Sequence, residues 1–496
     1  MVKRLTMWTL MVGVGVGAIG VVGARGDEPL VLTPVVSTAP LFNYEDAPAT
    51  PDADDPAIWV SRANPRRSLV IGTAKDAGLL VYDMSGRLVQ GLLPPNAPHI
   101  SPLDPPTPAG TNAGPDRPCV DSASGETFGR FNNVDIAYGV RLGVHPRAER
   151  VDVAVVSDRG CDRVRFYKID PSDPGGPLVD ITSPNVPRVF PTRVEQPWDL
   201  QPSGIVAGRR DNPVDDQNTV YGLTVTQGDA DEIFVTERER GLVRQLEIVA
   251  DHGKLSYRTT RTFLFKTSFS LKGSQGAAYQ WTPCREAVLE EPQAEGVVFD
   301  RVNHTLYVAF ETIGMYRLPL KRSTPSVVEV TDAWLIEPVK TFGRPYHATP
   351  DDDEFECEYD PDGPPAAGAL VQPGSEANGG RFLEADLEGL TVIASVPGRA
   401  LMLASSQGDS SFHFYELSSA GPQHLGVFFV EGVGDTDGVH YVRTPVGREY
   451  PLGLLVVQNG EAPEPPNTGD VNGFEFDGAT QFLYLNFADA LRAIAR

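Results

Sequence analysis

The sequence predicts an all-β chain folded as a six-bladed β-propeller, a single large domain, and two observations carry that expectation. First, a unit of apolar strand, polar loop and second strand recurs six times. It reads SLVIGTAKDAGLLVYDM from Ser68, VDVAVVSDRGCDRVRFYKI from Val151, EIFVTERERGLVRQLEI from Glu232, TLYVAFETIGMYRLPL from Thr305, RALMLASSQGDSSFHFYEL from Arg399 and LGLLVVQNGEAP from Leu452. Second, a shorter strand with a polar mouth lies upstream of each unit: DDPAIWV, NNVDIAYG, VYGLTVT, AEGVVFD, LEGLTVIA and DTDGVHYV. The spacing is longer and less regular than in common propeller repeats. A β-sandwich or two β domains would also use alternating strands, but six matching pairs fit radial repetition around a channel better.

The stretch Glu384–Leu417 shows one repeat whole. LTVIA alternates, RALMLAS is an almost unbroken apolar run, and FHFYEL alternates again, with the polar loop SSQGDSS before the last strand. Equivalent loops of equivalent blades lie on one face of a propeller. The mouths are therefore expected to bring Asp55, Asp135, Tyr221, Glu295, Glu388 and Asp437 towards one end of the channel. The second loops should set Lys75, Arg159, Arg238, Glu311, Gln407 and Gln458 around them. An acidic centre with a partly basic rim suits cations and anions together.

Taken in order, the chain opens MVKRLTMWTLMVGVGVGAIGVVGARG, with Lys3 and Arg4 before an apolar run and small residues near Ala24. Residues 1–26 read as a secretory signal peptide, a retained membrane helix being the other reading of that run, and residues 27–496 as the propeller domain. No later segment is apolar for long enough to span a bilayer. The expectation is a secreted or periplasmic protein with no membrane contact after signal removal, acting as a monomer. Four cysteines, Cys119, Cys161, Cys284 and Cys357, suit an oxidising compartment, and three pairings are open. They lack the close spacing of a zinc site. The formal charge of -24, from 66 acidic and 42 basic residues, excludes a nucleic-acid surface. Three long connections, Leu93–Arg130, Lys266–Pro292 and Lys340–Arg381, read as surface excursions or partly disordered loops, with Asp351-Asp352-Asp353-Glu354 a solvated acidic run. There is no G-x-S-x-G elbow and no H-E-x-x-H pair. His413, alternating with Phe412 and Phe414, reads as structural. Metal-assisted attack by water is the chemistry that this inventory supports best.

Six motifs carry a resemblance. Asp52-Ala-Asp-Asp-Pro-Ala-Ile-Trp59, Asn132-Asn-Val-Asp135, Ala294-Glu-Gly296, Asp386-Leu-Glu-Gly-Leu-Thr391, Ala404-Ser-Ser-Gln-Gly-Asp-Ser-Ser411 and Asp435-Thr-Asp-Gly438 are similar to those of the β-propeller phytases, the alkaline, calcium-dependent phytases. The motifs run in family order from about residue 50 to the end. The resemblance implies hydrolysis of phytate, myo-inositol hexakisphosphate, by water activated at several Ca2+ ions. It implies a phosphoric monoester hydrolase of the 3-phytase type whose small-molecule substrate arrives as a calcium complex.

Residue by residue, it implies that Asp54, Asp55 and the Pro56 carbonyl hold a calcium ion near the substrate. Glu295 and Glu388 would bridge catalytic calcium ions, with Glu311 and Asp386 beside them and Gln407 and Asp437 in the same ligand group. Asn132, Asn133 and Asp135 match a second calcium region. Lys75, Arg159 and Tyr221 match groups that hold substrate phosphates. Two departures stand out. Where relatives carry a lysine, this chain reads Thr236-Glu-Arg-Glu-Arg-Gly241, which makes Arg238 the candidate for the basic role and Arg240 the alternative. Where they carry an aspartate, it has Glu431, which keeps a carboxylate as a metal ligand on a longer stem. Two other readings remain open on the residues alone. One is a calcium-stabilised propeller that binds a partner. The other is a phosphohydrolase acting on another phosphoester.

Overall fold

The computed structural model describes residues 29–44, 51–94, 119, 127–143, 148–190, 214, 218–226, 232–272, 278–284, 292–351, 354–359, 379–464 and 474–494. The expected signal segment lies outside the described residues. The strands form the six blades. Blade one is Pro56–Trp59, Leu69–Thr73, Leu79–Tyr82 and Leu88–Leu92, and blade two is Phe131–Leu142, Glu149–Asp158, Arg163–Ile169 and Leu178–Asp180. Blade three is Val220–Thr226, Glu232–Glu237, Leu242–Asp251 and Lys254–Phe265, and blade four is Val297–Asp300, Thr305–Phe310, Gly314–Pro319 and Leu335–Pro338. Blade five is Leu387–Val396, Arg399–Ser406, Ser411–Ser418 and Gly421–Val430. Blade six takes Val439–Val442, Leu454–Asn459 and Phe476–Asn486 from the end of the chain.

The start of the chain closes the ring. Val36–Ser37 pairs antiparallel with the last strand of blade six, and Leu41–Tyr44 pairs with that strand further along. Leu30–Leu32 adds in parallel to the outer edge of blade five. Each inner strand packs on the next, and the inner strand of blade six returns to that of blade one. Among the described residues no helix is long and apolar enough to cross a membrane.

The core sits between blades. Side chains alternate along a strand, and in a propeller both faces of a sheet are covered. In blade one, Val70 and Leu80 face blade six, where they meet Val456 and Phe482. Ile71, Leu79 and Val81 face blade two, against Val134, Ile136 and Val156. This two-sided burial is why the second strands read as unbroken apolar runs. The second and third long connections, expected as irregular excursions, each carry a hairpin. Phe269–Lys272 pairs with Ala278–Trp281, and Tyr346–Asp351 with Glu354–Tyr359. Trp281 organises this region: it is fully buried, packs on Phe269 and Phe342, and donates its indole N–H to the Arg344 carbonyl at 2.9 Å.

His413 is held inside blade five. Its Nε2 lies 2.7 Å from the Ser411 hydroxyl and its Nδ1 2.9 Å from His424 Nε2, while Phe382 stacks on His424 with ring centres 3.8 Å apart. Burial pushes both imidazoles down to about 4, and the two rings also oppose each other's protonation at His413. Folded, the pair stays neutral at a pH where the unfolded chain binds protons, so stability is lost as pH falls from about 6.5 towards 4. The expected result is a fall in Tm between about pH 7 and pH 5 that shrinks in the His413→Asn/His424→Gln double variant. An unchanged pH slope in that variant would contradict it.

Candidate active site

The upper end of the channel is shaped by backbone first. The amides of Asp55, Asn133, Gly222 and Gly389 donate to hydroxyls on the neighbouring second strands, Thr73, Ser157, Thr236 and Ser405, at 3.0, 2.9, 2.8 and 2.7 Å. At Phe131/Val134, Val220/Leu223 and Leu387/Leu390 the strand pairing slips, which re-aims the mouth residues. Glycines then bring successive blades together. A Cβ on Gly222 would lie 1.8 Å from the carbonyl oxygen of Glu295, and one on Gly296 1.9 Å from that of Glu388. On Gly389 it would lie 2.9 Å from the Asp437 carbonyl oxygen, and on Gly438 2.6 Å from Asp55 Cα. Only glycine permits these contacts.

Acids from different blades therefore converge. Glu295, Glu311 and Glu388 are all buried and each offers a carboxylate oxygen within 4.8 Å of the others. Glu388 Oε2 and Asp54 Oδ1 are buried with no hydrogen-bond partner among the described residues. Burial pushes Asp54, Glu388 and Asp437 well above the ordinary carboxylate range, and the charge of Glu295 adds to the rise in all three. Buried carboxylates without compensating charge are costly. A divalent cation among Glu295, Glu311 and Glu388 would remove that cost, and an all-oxygen donor set suits a hard one.

The rim is cationic. Lys75 Nζ lies 2.5 Å from Asp52 Oδ2 and 3.5 Å from Asp54 Oδ2. Burial acts to lower this ammonium, but Asp52, Asp54 and Asp437 outweigh it and hold the proton on. Lys75 also has a left-handed backbone, φ 45°, unusual for a side-chain-bearing residue and common where a site is fixed. Arg159 is buried, donates from Nη1 to Asn132 Oδ1 at 2.9 Å and lies over the Tyr221 ring, 5.4 Å from its centre. Burial, then the like charges of Arg238 and Arg130, lower it to about 10. Burial, reinforced by Glu295, Glu311 and Glu388, raises the Tyr221 hydroxyl and keeps it a donor. Arg238 faces the cavity, with Nη1 2.7 Å from Glu239 Oε1, whereas Arg240 is 3 % exposed and pairs with Glu237 at 3.7 Å. Of the two arginines left open by the sequence, the one at the cavity is Arg238.

One cavity of about 310 Å³ is lined by Asp54, Lys75, Arg159, Tyr221, Arg238, Glu295, Glu311, Asp386, Glu388, Gln407 and Asp437. Asp55, Asn133 and Asp135 line a second cavity of about 590 Å³ further along the channel, which Glu295 and Glu388 also border. The upper ring expected for Asp55 and Asp135 is thus corrected. Adjacent residues of an extended segment point opposite ways, and Asp54 takes the upper position. Asp55 Oδ2 accepts from the Val134 amide at 3.1 Å, and Asp135 Oδ2 from the Val225 amide at 2.8 Å.

Asn132 is engaged between Arg159 and Glu295, donating to Glu295 Oε1 at 2.7 Å. Gln458, expected on the rim, instead braces Asp437. Its Oε1 accepts from the Asp437 amide at 2.7 Å, and its Nε2 donates to the Ala53 carbonyl at 3.1 Å. Pro56 lines neither cavity. Glu431 also lies outside both; it is exposed at the end of blade five and accepts from the Thr33 hydroxyl at 2.9 Å. Sequence reasoning missed Arg130, which lines the site and donates to Asp76 Oδ2 at 2.9 Å, and Asp52, the partner of Lys75. The signal for Arg130 was its place two residues before Asn132, hidden because it was read as the end of a long excursion.

Fold and site together define a propeller whose channel mouth suits a divalent cation and an anionic ligand at once. The Phytase family profile matches residues 12–92 and 336–475. A curated 3-phytase of Bacillus subtilis (strain 168) is 26% identical over 440 residues, 87% of this chain and 79% of that protein. Among solved structures, a protein from Lactobacillus plantarum is 10% identical over 79% of this chain and 74% of its own, with a TM-score of 0.36. The C-terminal WD40 domain of Sif2 is 9% identical over 92% and 99%, with a TM-score of 0.32. Scores this low carry no weight for fold or function. The family profile and the curated relative both support the β-propeller phytase family for this chain.

The two arginines separate in experiment. Arg240→Ala is expected to destabilise by about 2–3 kcal/mol, because it strips a buried partner from Glu237. Arg238→Ala is expected to cost less than about 1 kcal/mol of stability while weakening phytate binding about tenfold. Thermal melts and steady-state kinetics of both variants check this, and the reverse pattern would move the rim role to Arg240.

Proposed function

We propose that this chain hydrolyses phytate in a calcium-dependent reaction of the 3-phytase type, releasing inorganic phosphate and lower inositol phosphates. The observation that carries the reading is the buried Glu295–Glu311–Glu388 cluster set beneath Lys75, Arg159 and Arg238 in one cavity. The 3-phytase relative supports the substrate and the bond cleaved. For the metal, support comes from the donors themselves: carboxylates only in the cluster, with Glu388 Oε2 and Asp54 Oδ1 buried and unpartnered. Glu295, Glu311 and Glu388 would hold calcium, with Asp54, Asp386, Asp437 and the Gln407 amide oxygen around them. When bound, calcium supplies charge neutralisation on phosphoryl oxygens and a more acidic water.

The chain's own groups do the positioning. Water attacks phosphorus, the P–O bond to the inositol ring breaks, and the ring oxygen leaves with the proton that the attacking water gives up. Lys75, Arg159 and Arg238 hold phosphate oxygens by charge-assisted hydrogen bonds, which stabilise the charge spread over the equatorial oxygens. Tyr221, kept protonated, donates its O–H. Asn132 keeps Arg159 aimed by holding its guanidinium while anchored to Glu295. A net charge of -24 does not defeat binding of a polyanion. Salt screens the distant surface over ~8 Å, and a calcium–phytate complex arrives with much of its charge already cancelled.

We also infer export from the cytoplasm. The bonded Cys119–Cys161 pair and the disulfide-bonded Cys284 fit an oxidising compartment, as does the N-terminal sequence. The side chain of Cys357 lies outside the described residues.

The test is phosphate release from phytate with calcium and with excess chelator. Chelation is expected to abolish release and to lower Tm, since an ion held at 1,000 times its Kd stabilises by about 4 kcal/mol. Full turnover in chelator would sink the metal reading. Calcium binding without turnover would favour a binding module, and faster turnover of sugar phosphates would favour another phosphoester.

A further inference from the structure

Arg159 sits on a three-residue turn, Arg159–Cys161, between the second and third strands of blade two. The turn is tied down on every side. Asp158 caps it, its Oδ1 accepting from the Cys161 amide at 3.2 Å and from the Arg130 amide at 3.1 Å. The Arg159 amide donates to the Arg130 carbonyl at 2.8 Å, and the Thr219 hydroxyl donates to the Arg159 carbonyl. Gly160 is pressed so closely on the preceding segment that a Cβ there would lie 1.8 Å from the Phe128 carbonyl oxygen. The Cys119–Cys161 disulfide completes the clamp. Both cysteines are 3 % exposed, they pack on Val214, and the Cys119 amide donates to the Thr127 carbonyl at 2.7 Å.

Blade five provides an internal comparison. Its equivalent turn, Gln407–Asp409, is also a single 3-10 turn followed by a left-handed residue, Ser410 at φ 53° against Asp162 at φ 52°. No cysteine occurs in or beside that turn. The turn therefore forms without a covalent tie. What differs in blade two is the side chain it carries, a buried guanidinium facing the like charges of Arg130 and Arg238. An arginine has a large rotamer freedom to lose, and this one must hold its guanidinium on Asn132 and over the Tyr221 ring.

We propose that the Cys119–Cys161 disulfide positions Arg159 in the cavity and thereby sets the affinity for phosphorylated substrate. This rests on the reading that Arg159 holds a substrate phosphate. Cys119 and Cys161 are positioning residues and touch no substrate.

A double-mutant cycle tests it, with KM and kcat for phytate measured in calcium on wild type, Arg159→Ala, Cys119→Ala/Cys161→Ala and the triple variant. Arg159→Ala in the wild-type background should raise KM roughly 10–100-fold. Removing the disulfide should raise KM about 3–10-fold with kcat within about twofold, and in that background Arg159→Ala should add less than about threefold. The same large Arg159 effect in both backgrounds would overturn the positioning role while leaving Arg159 as a phosphate ligand. No Arg159 effect in either would overturn the ligand reading itself, and the inference with it. Should the disulfide-free chain be unfolded at the assay temperature, Cys119→Ala alone, which breaks the bond and keeps the Cys161 side chain, takes its place in the cycle at a temperature below its melt, and full additivity there would equally refute the role.

Discussion

The site depends on contact between backbones of neighbouring blades. Gly222, Gly296, Gly389 and Gly438 each follow a mouth residue, and each leaves room for the mouth of the next blade to press against it. A methyl group at any of them would meet main-chain atoms, which cannot swing aside as a flexible side chain can. The mouth residues Glu295, Glu388 and Asp437 are thereby brought to the lining of one cavity. Hydroxyls at Thr73, Ser157, Thr236 and Ser405 fix the same strands from behind, so the ring is set by main chain before any functional group is placed.

That closeness has an electrostatic consequence. Carboxylates forced together away from water either keep their protons or find a cation. Asp54, Glu388 and Asp437 show the first tendency, and the unpartnered oxygens of Glu388 and Asp54 leave room for the second. The rim carries the opposite strain, with Arg159 crowded by Arg130 and Arg238. An acid cluster and a basic rim thus face each other across about 310 Å³. A cation with a polyanion satisfies both halves at once. Val36–Ser37, paired with the last strand of blade six, closes the ring that carries both halves.

Much of this was legible in the sequence, for identifiable reasons. Six apolar runs with polar loops declared the blades because burial on both sheet faces leaves an unbroken apolar signature. The acid–glycine pairs at Glu295 and Glu388 marked where blades touch. Other features could not be read. Asp54 and Asp55 are adjacent acids, and only strand phase decides which one points up. Arg238 and Arg240 differ by two positions, yet a turn between them sends one to the cavity and the other to Glu237. Glu431 keeps the acid of its motif but ends on an exposed edge beside Thr33, a placement set by the N-terminal strand laid along blade five. The hairpins at Phe269–Trp281 and Tyr346–Tyr359 escaped notice because short strands inside long polar connections give little periodicity.

The central claim is that burial raises Asp54, Glu388 and Asp437 and that the proposed calcium displaces their protons. Calorimetric titration of calcium into the metal-free protein, repeated in buffers of different ionisation enthalpy, measures that exchange directly. The account predicts net proton release on binding and an affinity that climbs with pH, because ligand carboxylates must be ionised. It predicts that Glu388→Gln lowers both affinity and the protons released. Tight calcium binding with no proton release, unchanged in Glu388→Gln, would place the ion elsewhere and contradict the account.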